Sequence, residues 1–169
     1  MDESIWGFIG VITGTFIGAA ASIITTFINN NNAMRIQQNI DEQQRTERAR
    51  SFQRDTLLEI QEVLSDALRL MTQAYIERSN ANDEGIPWED TSINNITDEN
   101  ARLTNRKLAI LNERISDDTL RCELHDVRDK MSNVIRTKSN HEARTAMFNS
   151  SDDARIFLKN LGTVLRDQY

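Results

Sequence analysis

The feature that most constrains this chain is an uncharged stretch near its N-terminus. Residues 5–28 contain no Asp, Glu, Lys or Arg. As a helix, these 24 residues would be about 36 Å long at about 1.5 Å per residue, and the hydrocarbon core of a bilayer is about 30 Å thick. The stretch therefore predicts one transmembrane helix, with residues 1–32 forming the span and its exit.

A cleaved signal peptide is the alternative interpretation of the same stretch. The residues before it, Met1 to Ser4, include no basic side chain, and the apolar run is longer than a signal peptide normally carries. A retained span is favoured for these reasons. Its C-terminal flank is rich in arginine and its N-terminal flank has none, so the positive-inside rule predicts a single-pass protein with its C-terminal part in the cytoplasm.

The predicted span has two different faces. At 100° per residue, small and hydroxylated residues share one broad sector, while bulky Ile and Phe residues cover the other. Small residues let helix backbones approach closely within lipid, so this face predicts a homo-oligomer, and in its sharper form a water-lined pore. A plain anchor is the alternative, because Ser and Thr can return their hydroxyls to the preceding turn. The predicted pore or oligomer face consists of Gly7, Gly10, Gly14, Thr15, Gly18, Ser22, Thr25 and Thr26.

The rest of the chain, residues 33–169, predicts an all-α fold. It contains two glycines and one proline and is rich in residues that favour helices. Residues 33–56 are polar on all sides, which is typical of a stalk. Apolar residues then recur at three- and four-residue steps, which predicts a cytosolic antiparallel helical bundle continuous with the transmembrane helix.

The helix boundaries follow from turn and capping signals. The first helix is predicted to continue to about residue 78, before a loop over residues 79–90 that holds the only proline. A second helix is predicted over residues 92–115, with Ile96 and Leu103 among its core residues. A third starts near residues 116–118, and a final helix is expected to open at residues 150–153. Apolar residues predicted to be buried in the other helices include Leu57, Ile60, Leu64, Leu68, Met71, Tyr75, Leu120, Leu124, Val127, Met131, Val134, Phe157 and Leu161.

The composition argues against several kinds of binding site and catalytic site. The net charge of −6 supplies no overall positive field for a phosphate backbone. Cys122 is the only cysteine, which excludes an intramolecular disulfide and a cysteine-based metal cluster. The sequence contains no phosphate-binding glycine loop, HExxH, CxxC or GxSxG motif. We therefore expect no metal and no cofactor.

One pair of residues remains as a candidate catalytic site. Arg136 and His141 form an R-x4-H motif, in which a histidine can transfer a proton and an arginine can hold a phosphate during metal-independent RNA cleavage. The alternative is that both are ordinary surface residues, since so short a pattern often arises by chance. The other histidine, His125, lies within the third predicted helix and is expected to be a helix-surface or partly buried residue rather than a ligand.

The combination of one N-terminal span, a glycine-lined face, a helical bundle and R-x4-H near the end of the third bundle helix resembles the small membrane accessory proteins of type VI-B CRISPR systems. The resemblance implies a divergent HEPN-like fold and a ring of copies whose spans enclose a pore. It also implies a location in a bacterial inner membrane and a role in antiphage defence beside an RNA-guided nuclease. Its motif-specific part is Arg136 and His141. RNA-cleaving HEPN sites usually place Asn, Asp or His directly after the arginine, and this chain has Thr137 there.

Three hypotheses about function follow. The leading one is a non-enzymatic, oligomeric membrane effector that enhances RNA-guided defence by perturbing the membrane. The second is a membrane-tethered HEPN-type ribonuclease that uses Arg136 and His141, and the third is a membrane-anchored scaffold or regulatory helical module. The expected partners are copies of the chain itself, the lipid bilayer, and an RNA-guided CRISPR nuclease or its RNA products.

Overall fold

The computed structural model describes the backbone of residues 3–168 and the side chains of residues 13–168. In this part of the chain the secondary structure is entirely helical: α1 (Glu3–Asp83), a short 3₁₀ turn (Trp88–Asp90), α2 (Asn95–Asn112), α3 (Asp118–Ile135) and α4 (Asn140–Arg166). The predicted all-α helical bundle is confirmed at this level. The chain divides into two compact units, residues 1–48 and residues 49–169.

The unit of residues 49–169 holds the apolar core. One stripe of α1 packs with the buried faces of α2, α3 and α4, and α3 lies against both α2 and α4. The stripe predicted for α3 is confirmed in full, since all five of its residues are buried. Leu68 and Tyr75 of the α1 stripe are only half-buried. The fully buried large apolar side chains are Leu57, Ile60, Leu64, Leu108, Leu111, Leu124, Val134, Phe157 and Leu161.

The unit of residues 1–48 has exposed side chains wherever they are described, from Thr13 onward. Bulky apolar residues are among them, including Phe16 and Ile23. None of the helices, as far as their residues are described, combines enough length with enough apolar character to cross a membrane. The predicted span includes residues 5–12, and Gly7 and Gly10 of its predicted face thus lie outside the part whose side chains are described. The span stays a prediction.

The end of α1 is determined by a glycine. Gly85 has φ +96°, a left-handed conformation that glycine adopts readily and other residues adopt at a cost. The Ile86 N–H donates to the Ala81 carbonyl at 3.1 Å and the Gly85 N–H to the Asn82 carbonyl at 3.0 Å, which is the hydrogen-bond pattern of a Schellman motif. The helix therefore continues beyond residue 78, where the sequence placed its end, and stops at Asp83.

The start of α4 differs from the prediction. Residues 150–153 do not open a helix, because α4 already begins at Asn140. Ser139 is its N-cap and accepts a hydrogen bond from the Glu142 N–H at 3.2 Å, while the Glu142 carboxylate accepts one from the Lys138 N–H at 3.2 Å. The Ser-x-x-Glu spacing is that of a capping box, in a variant whose carboxylate binds the N–H of the residue before the N-cap. The sequence prediction missed this signal. Ser151 instead donates to the Met147 carbonyl within the helix.

The buried face of α2 was also partly mispredicted. Ile96 is 71% exposed and Leu103 is exposed, although both were expected in the core. Thr97 is buried instead, because its hydroxyl donates to the Glu77 carboxylate at 2.7 Å and accepts from the Gln73 amide at 2.9 Å. Thr97 therefore lies on the side of α2 that faces α1, where its hydroxyl is hydrogen-bonded. The face continues through Ala101, Thr104, Leu108 and Leu111.

Candidate functional site at the link between α3 and α4

The two residues of the R-x4-H motif lie at opposite ends of the same link. Arg136 is the C-cap of α3, where its N–H donates to the Asn133 carbonyl at 3.0 Å. His141 is the second residue of α4. Both side chains are exposed. Solvent therefore reaches the two groups that the sequence nominated for catalysis.

A buried arginine forms a hydrogen bond to the start of this link. Arg78 of α1 is only 7% exposed, and its Nη1 donates to the Ile135 carbonyl at 2.6 Å. Its Nε donates to the Thr91 hydroxyl and its Nη2 to the Trp88 carbonyl, each at 2.8 Å. Burial lowers the pKa of Arg78 because desolvation disfavours the charged form. The three hydrogen bonds from Nε, Nη1 and Nη2 offset the free-energy cost of desolvation.

The tryptophan of the 3₁₀ turn holds the middle of the link. The Trp88 Nε1–H donates to the Thr137 carbonyl at 3.0 Å, and its ring is buried. The Thr137 hydroxyl donates to the Val134 carbonyl at 2.9 Å. The residue that departs from the nuclease pattern therefore has a structural partner at the end of α3. The loop around Pro87 was predicted, but its role in supporting this link was not.

The start of α4 is tied to α1 by a third set of contacts. The Tyr75 hydroxyl donates to the Asn140 side-chain oxygen at 3.1 Å, and the Asn140 amide donates to the Ser79 hydroxyl at 3.4 Å. The Tyr75 and Trp88 rings lie 6.3 Å apart between centroids. The link that carries Arg136 and His141 is thus supported by α1 and the 3₁₀ turn, and this support is typical of a segment whose geometry matters.

A groove opens beside Arg136 between α1, α2 and α3. Its volume is about 300 Å³, and Arg136 shares its lining with Arg102 of α2 and Arg128 of α3. The Arg128 Nε–H donates to the Asn105 side-chain oxygen at 3.2 Å. The three arginines are spread over 35 positions of sequence, so no local motif could have nominated them together.

The described part of the predicted oligomer face is open to its surroundings. A Cβ added at Gly14 or at Gly18 would meet no atom within 4 Å. Ser22 and Thr26 are exposed, as is Thr15. The Thr25 hydroxyl donates to the Ala21 carbonyl at 2.8 Å, which is the return to the preceding turn that the plain-anchor alternative invoked.

The remaining candidates for chemistry do not form a site in the part of the chain that is described. His125 is exposed, with its Nδ1 3.5 Å from the Asp129 carboxylate on the next turn. Cys122 is exposed and has a free thiol. Over residues 13–168, no group of three or more His, Cys, Asp or Glu side chains is arranged to hold a metal ion.

Comparison of the chain with protein-family models, with curated proteins and with solved structures found no match.

Proposed function

We propose that this protein is an oligomeric membrane effector whose N-terminal helices cross a bilayer side by side and enclose a pore. The observation that carries the proposal is the uncharged stretch of residues 5–28, together with the exposure of its bulky side chains. Phe16 is 76%, Ile23 70% and Phe27 67% exposed. An apolar surface of this kind is costly in water and favourable against lipid or protein.

The proposed arrangement assigns the two faces of this stretch to different neighbours. Phe16, Ile23 and Phe27 meet lipid tails. Gly14 and Gly18 have open space where a side chain would stand, so the helix of another copy can pack closely there. The arginines that follow the span stay on the cytoplasmic side and hold the bundle at that surface.

A detergent-mass experiment tests the packing of the spans. Full-length protein is extracted from membranes in mild detergent, and the particle mass is measured by light scattering. Wild type is expected to form a defined oligomer. Gly14→Leu and Gly18→Leu are expected to give a smaller particle, because each adds a bulky group to the contact face. Ala20→Leu adds the same group on the opposite side of the helix and should leave the mass unchanged.

Two results would overturn the membrane proposal. One is recovery of wild-type protein in the soluble fraction without detergent. The other is a wild-type particle with the mass of one copy, because a pore needs several spans. An unchanged mass in both glycine variants would remove the assignment of the contact face.

The setting we propose for this effector is RNA-guided antiphage defence. The resemblance to type VI-B accessory proteins supports it, together with the exposed Arg136 and His141 on the two sides of the link between α3 and α4. Cells that express the protein with a type VI-B RNA-guided nuclease and its target RNA are expected to lose membrane potential and to take up a dye. Cells that lack the protein should not. Intact potential in the first set would contradict this setting.

A second candidate function is a membrane-tethered HEPN-type ribonuclease. The accessibility of Arg136 and His141 on one supported link favours it. Purified oligomer should then cleave single-stranded RNA, and His141→Ala should abolish cleavage. His125→Ala removes an exposed histidine of α3 and serves as the control. Absence of cleavage by wild type would dismiss this candidate and leave the effector proposal standing.

A further inference from the structure

The groove between α1, α2 and α3 has the features of a small-molecule site. Its volume of about 300 Å³ lies at the lower end of the range of ligand pockets. The walls include Met71 of α1, Leu108 of α2 and Met131 of α3, all of which are buried. An apolar floor of this size accommodates one flat group rather than a folded protein partner.

Positive charge is concentrated at the same groove. Arg102, Arg128 and Arg136 line it together with one acidic residue, Asp98. The Arg102 guanidinium is paired with Glu99 on its own helix, so Arg128 and Arg136 supply the charge for a ligand. The hydrogen bond from Arg128 Nε to Asn105 holds its guanidinium in place and uses only one of its five donors. The planar guanidinium can donate two parallel hydrogen bonds to a phosphate or carboxylate. In a chain with a net charge of −6, this local excess of arginine is a departure from the overall balance.

The polar groups around the floor favour a nucleotide over a fatty acid. Asp98, Asn105 and Ser132 all line the groove. A carboxylate can accept hydrogen bonds from ribose hydroxyls or from the amino group of a base, and an amide can donate or accept. The Ser132 hydroxyl already donates to the Arg128 carbonyl at 3.0 Å and the Asn105 oxygen already accepts from Arg128. A nucleotide can still bond to the Asn105 amide nitrogen and to the Asp98 carboxylate, whereas a hydrocarbon tail can bond to neither.

We infer that the groove binds a nucleoside monophosphate, either as a free nucleotide or as the end of an RNA strand, with the phosphate on the arginines and the base on the apolar floor. The inference goes beyond the proposed membrane function. It holds whether or not residues 5–28 cross a membrane, because the whole groove lies within the unit of residues 49–169.

Calorimetric titration of the purified full-length protein with adenosine 5′-monophosphate tests the site. Binding is expected to be saturable. Adenosine and inorganic phosphate should each bind at least about tenfold more weakly, since each supplies half of the contacts. If inorganic phosphate binds as tightly as the nucleotide, or if decanoate binds more tightly, the nucleotide assignment is wrong. Absence of binding at millimolar nucleotide would overturn the site altogether.

Variants locate the binding within the groove. Arg128→Gln is expected to weaken binding by about tenfold or more, because a charge-assisted hydrogen bond is lost. Arg136 is exposed and also lines the groove, so Arg136→Gln keeps the test valid if Arg128→Gln does not fold, and the same loss of affinity is expected. Ala101→Leu should abolish binding by filling the groove. Arg106→Gln removes an exposed arginine of α2 that does not line the groove, and an equal loss there would contradict the assignment.

A further titration separates the two sources of the nucleotide. A tetraribonucleotide with a 5′-phosphate is compared with the same strand bearing a 5′-hydroxyl. If the phosphorylated strand binds more tightly than both adenosine 5′-monophosphate and the hydroxylated strand, the groove holds an RNA end. If adenosine 5′-monophosphate binds more tightly than either strand, the groove holds a free nucleotide.

Discussion

The guanidinium of Arg78 lies over the ring of Trp88, with Cζ 4.2 Å from the ring centroid, and its Nη2 also donates to the Trp88 carbonyl at 2.8 Å. The same arginine donates to the Ile135 carbonyl at the end of α3. A single buried side chain thus connects α1, the 3₁₀ turn and the link that carries Arg136 and His141. Its charge is stabilised by the ring face and by three acceptors.

Replacement of the buried Arg78 is expected to destabilise the folded protein strongly. Arg78→Met should lower the free energy of unfolding by about 3 kcal/mol, because the carbonyls of Trp88 and Ile135 lose a charged donor while they stay buried. Thermal unfolding of the full-length protein in detergent, followed by circular dichroism, measures the change. Arg69→Met is the matched control on the same helix, since Arg69 is exposed and has only a surface ion pair with Asp66. Equal effects of the two substitutions would contradict the structural role of Arg78.

Two glycines are expected to respond to alanine with opposite signs. Gly85→Ala should destabilise the protein by about 1 kcal/mol, because φ +96° is unfavourable for a residue with a Cβ. Gly162→Ala should stabilise it by up to about 1 kcal/mol, since alanine favours a helix interior and the new Cβ would meet only Arg166 Nη1 at 3.8 Å. Equilibrium unfolding in urea compares both variants with wild type. A stabilising Gly85→Ala would show that the Schellman motif does not end α1.

Acid should weaken the contact between α1 and the start of α2. Partial burial raises the pKa of Glu77, but hydrogen bonds from Thr97, Asn94 and Gln73 lower it by more, so it lies below its ordinary value of 4.5. The folded protein therefore favours the carboxylate more than the unfolded chain does. The resulting stabilisation is fully present above the ordinary value and is lost as the pH falls through the lowered folded pKa.

The measurement is the free energy of unfolding of wild type and Glu77→Gln between about pH 7 and about pH 3. The difference between the two proteins is expected to shrink as the pH decreases, because the wild-type carboxyl becomes neutral. Glu84→Gln removes the same charge from an exposed position and serves as the control. A difference that is constant over the whole range would show that the Glu77 hydrogen bonds do not depend on its charge.

The capping box of α4 can be tested with two serines. Ser139→Ala is expected to cost about 1 kcal/mol, because the side chain no longer accepts the hydrogen bond from the Glu142 N–H. Ser151→Ala should change stability by less than about 0.5 kcal/mol, since Ser151 is exposed in the helix interior. Thermal unfolding of both variants gives the comparison. The reverse order would indicate that a helix does begin near residue 151.

Capping and turn residues predicted the helices well where one such signal stood without a competing one nearby. Asp117, within the predicted start of α3, is its N-cap and accepts from the Leu120 N–H at 2.8 Å. The single predicted long helix agrees with α1 up to its last turn. The errors arose where two local signals competed: the serines and aspartates at residues 150–153 resemble a cap, while the true cap at Ser139 lies only a few residues after the end of α3. At Ile96, hydrophobicity indicated the core, but Ile96 lies off the face of α2 that buries Thr97, Leu108 and Leu111.

The sequence by itself determined that the chain is helical, where α3 begins, and that an uncharged stretch precedes the bundle. These properties depend on periodicity, capping and turn residues, which act over one or two turns of helix. Only the tertiary structure decided that Arg78 would meet the Ile135 carbonyl, 57 positions further along the chain, and that three arginines from α2 and α3 would surround one groove. Such contacts depend on how helices pack around a shared core, and the packing arises from the fit of many side chains at once rather than from any local pattern.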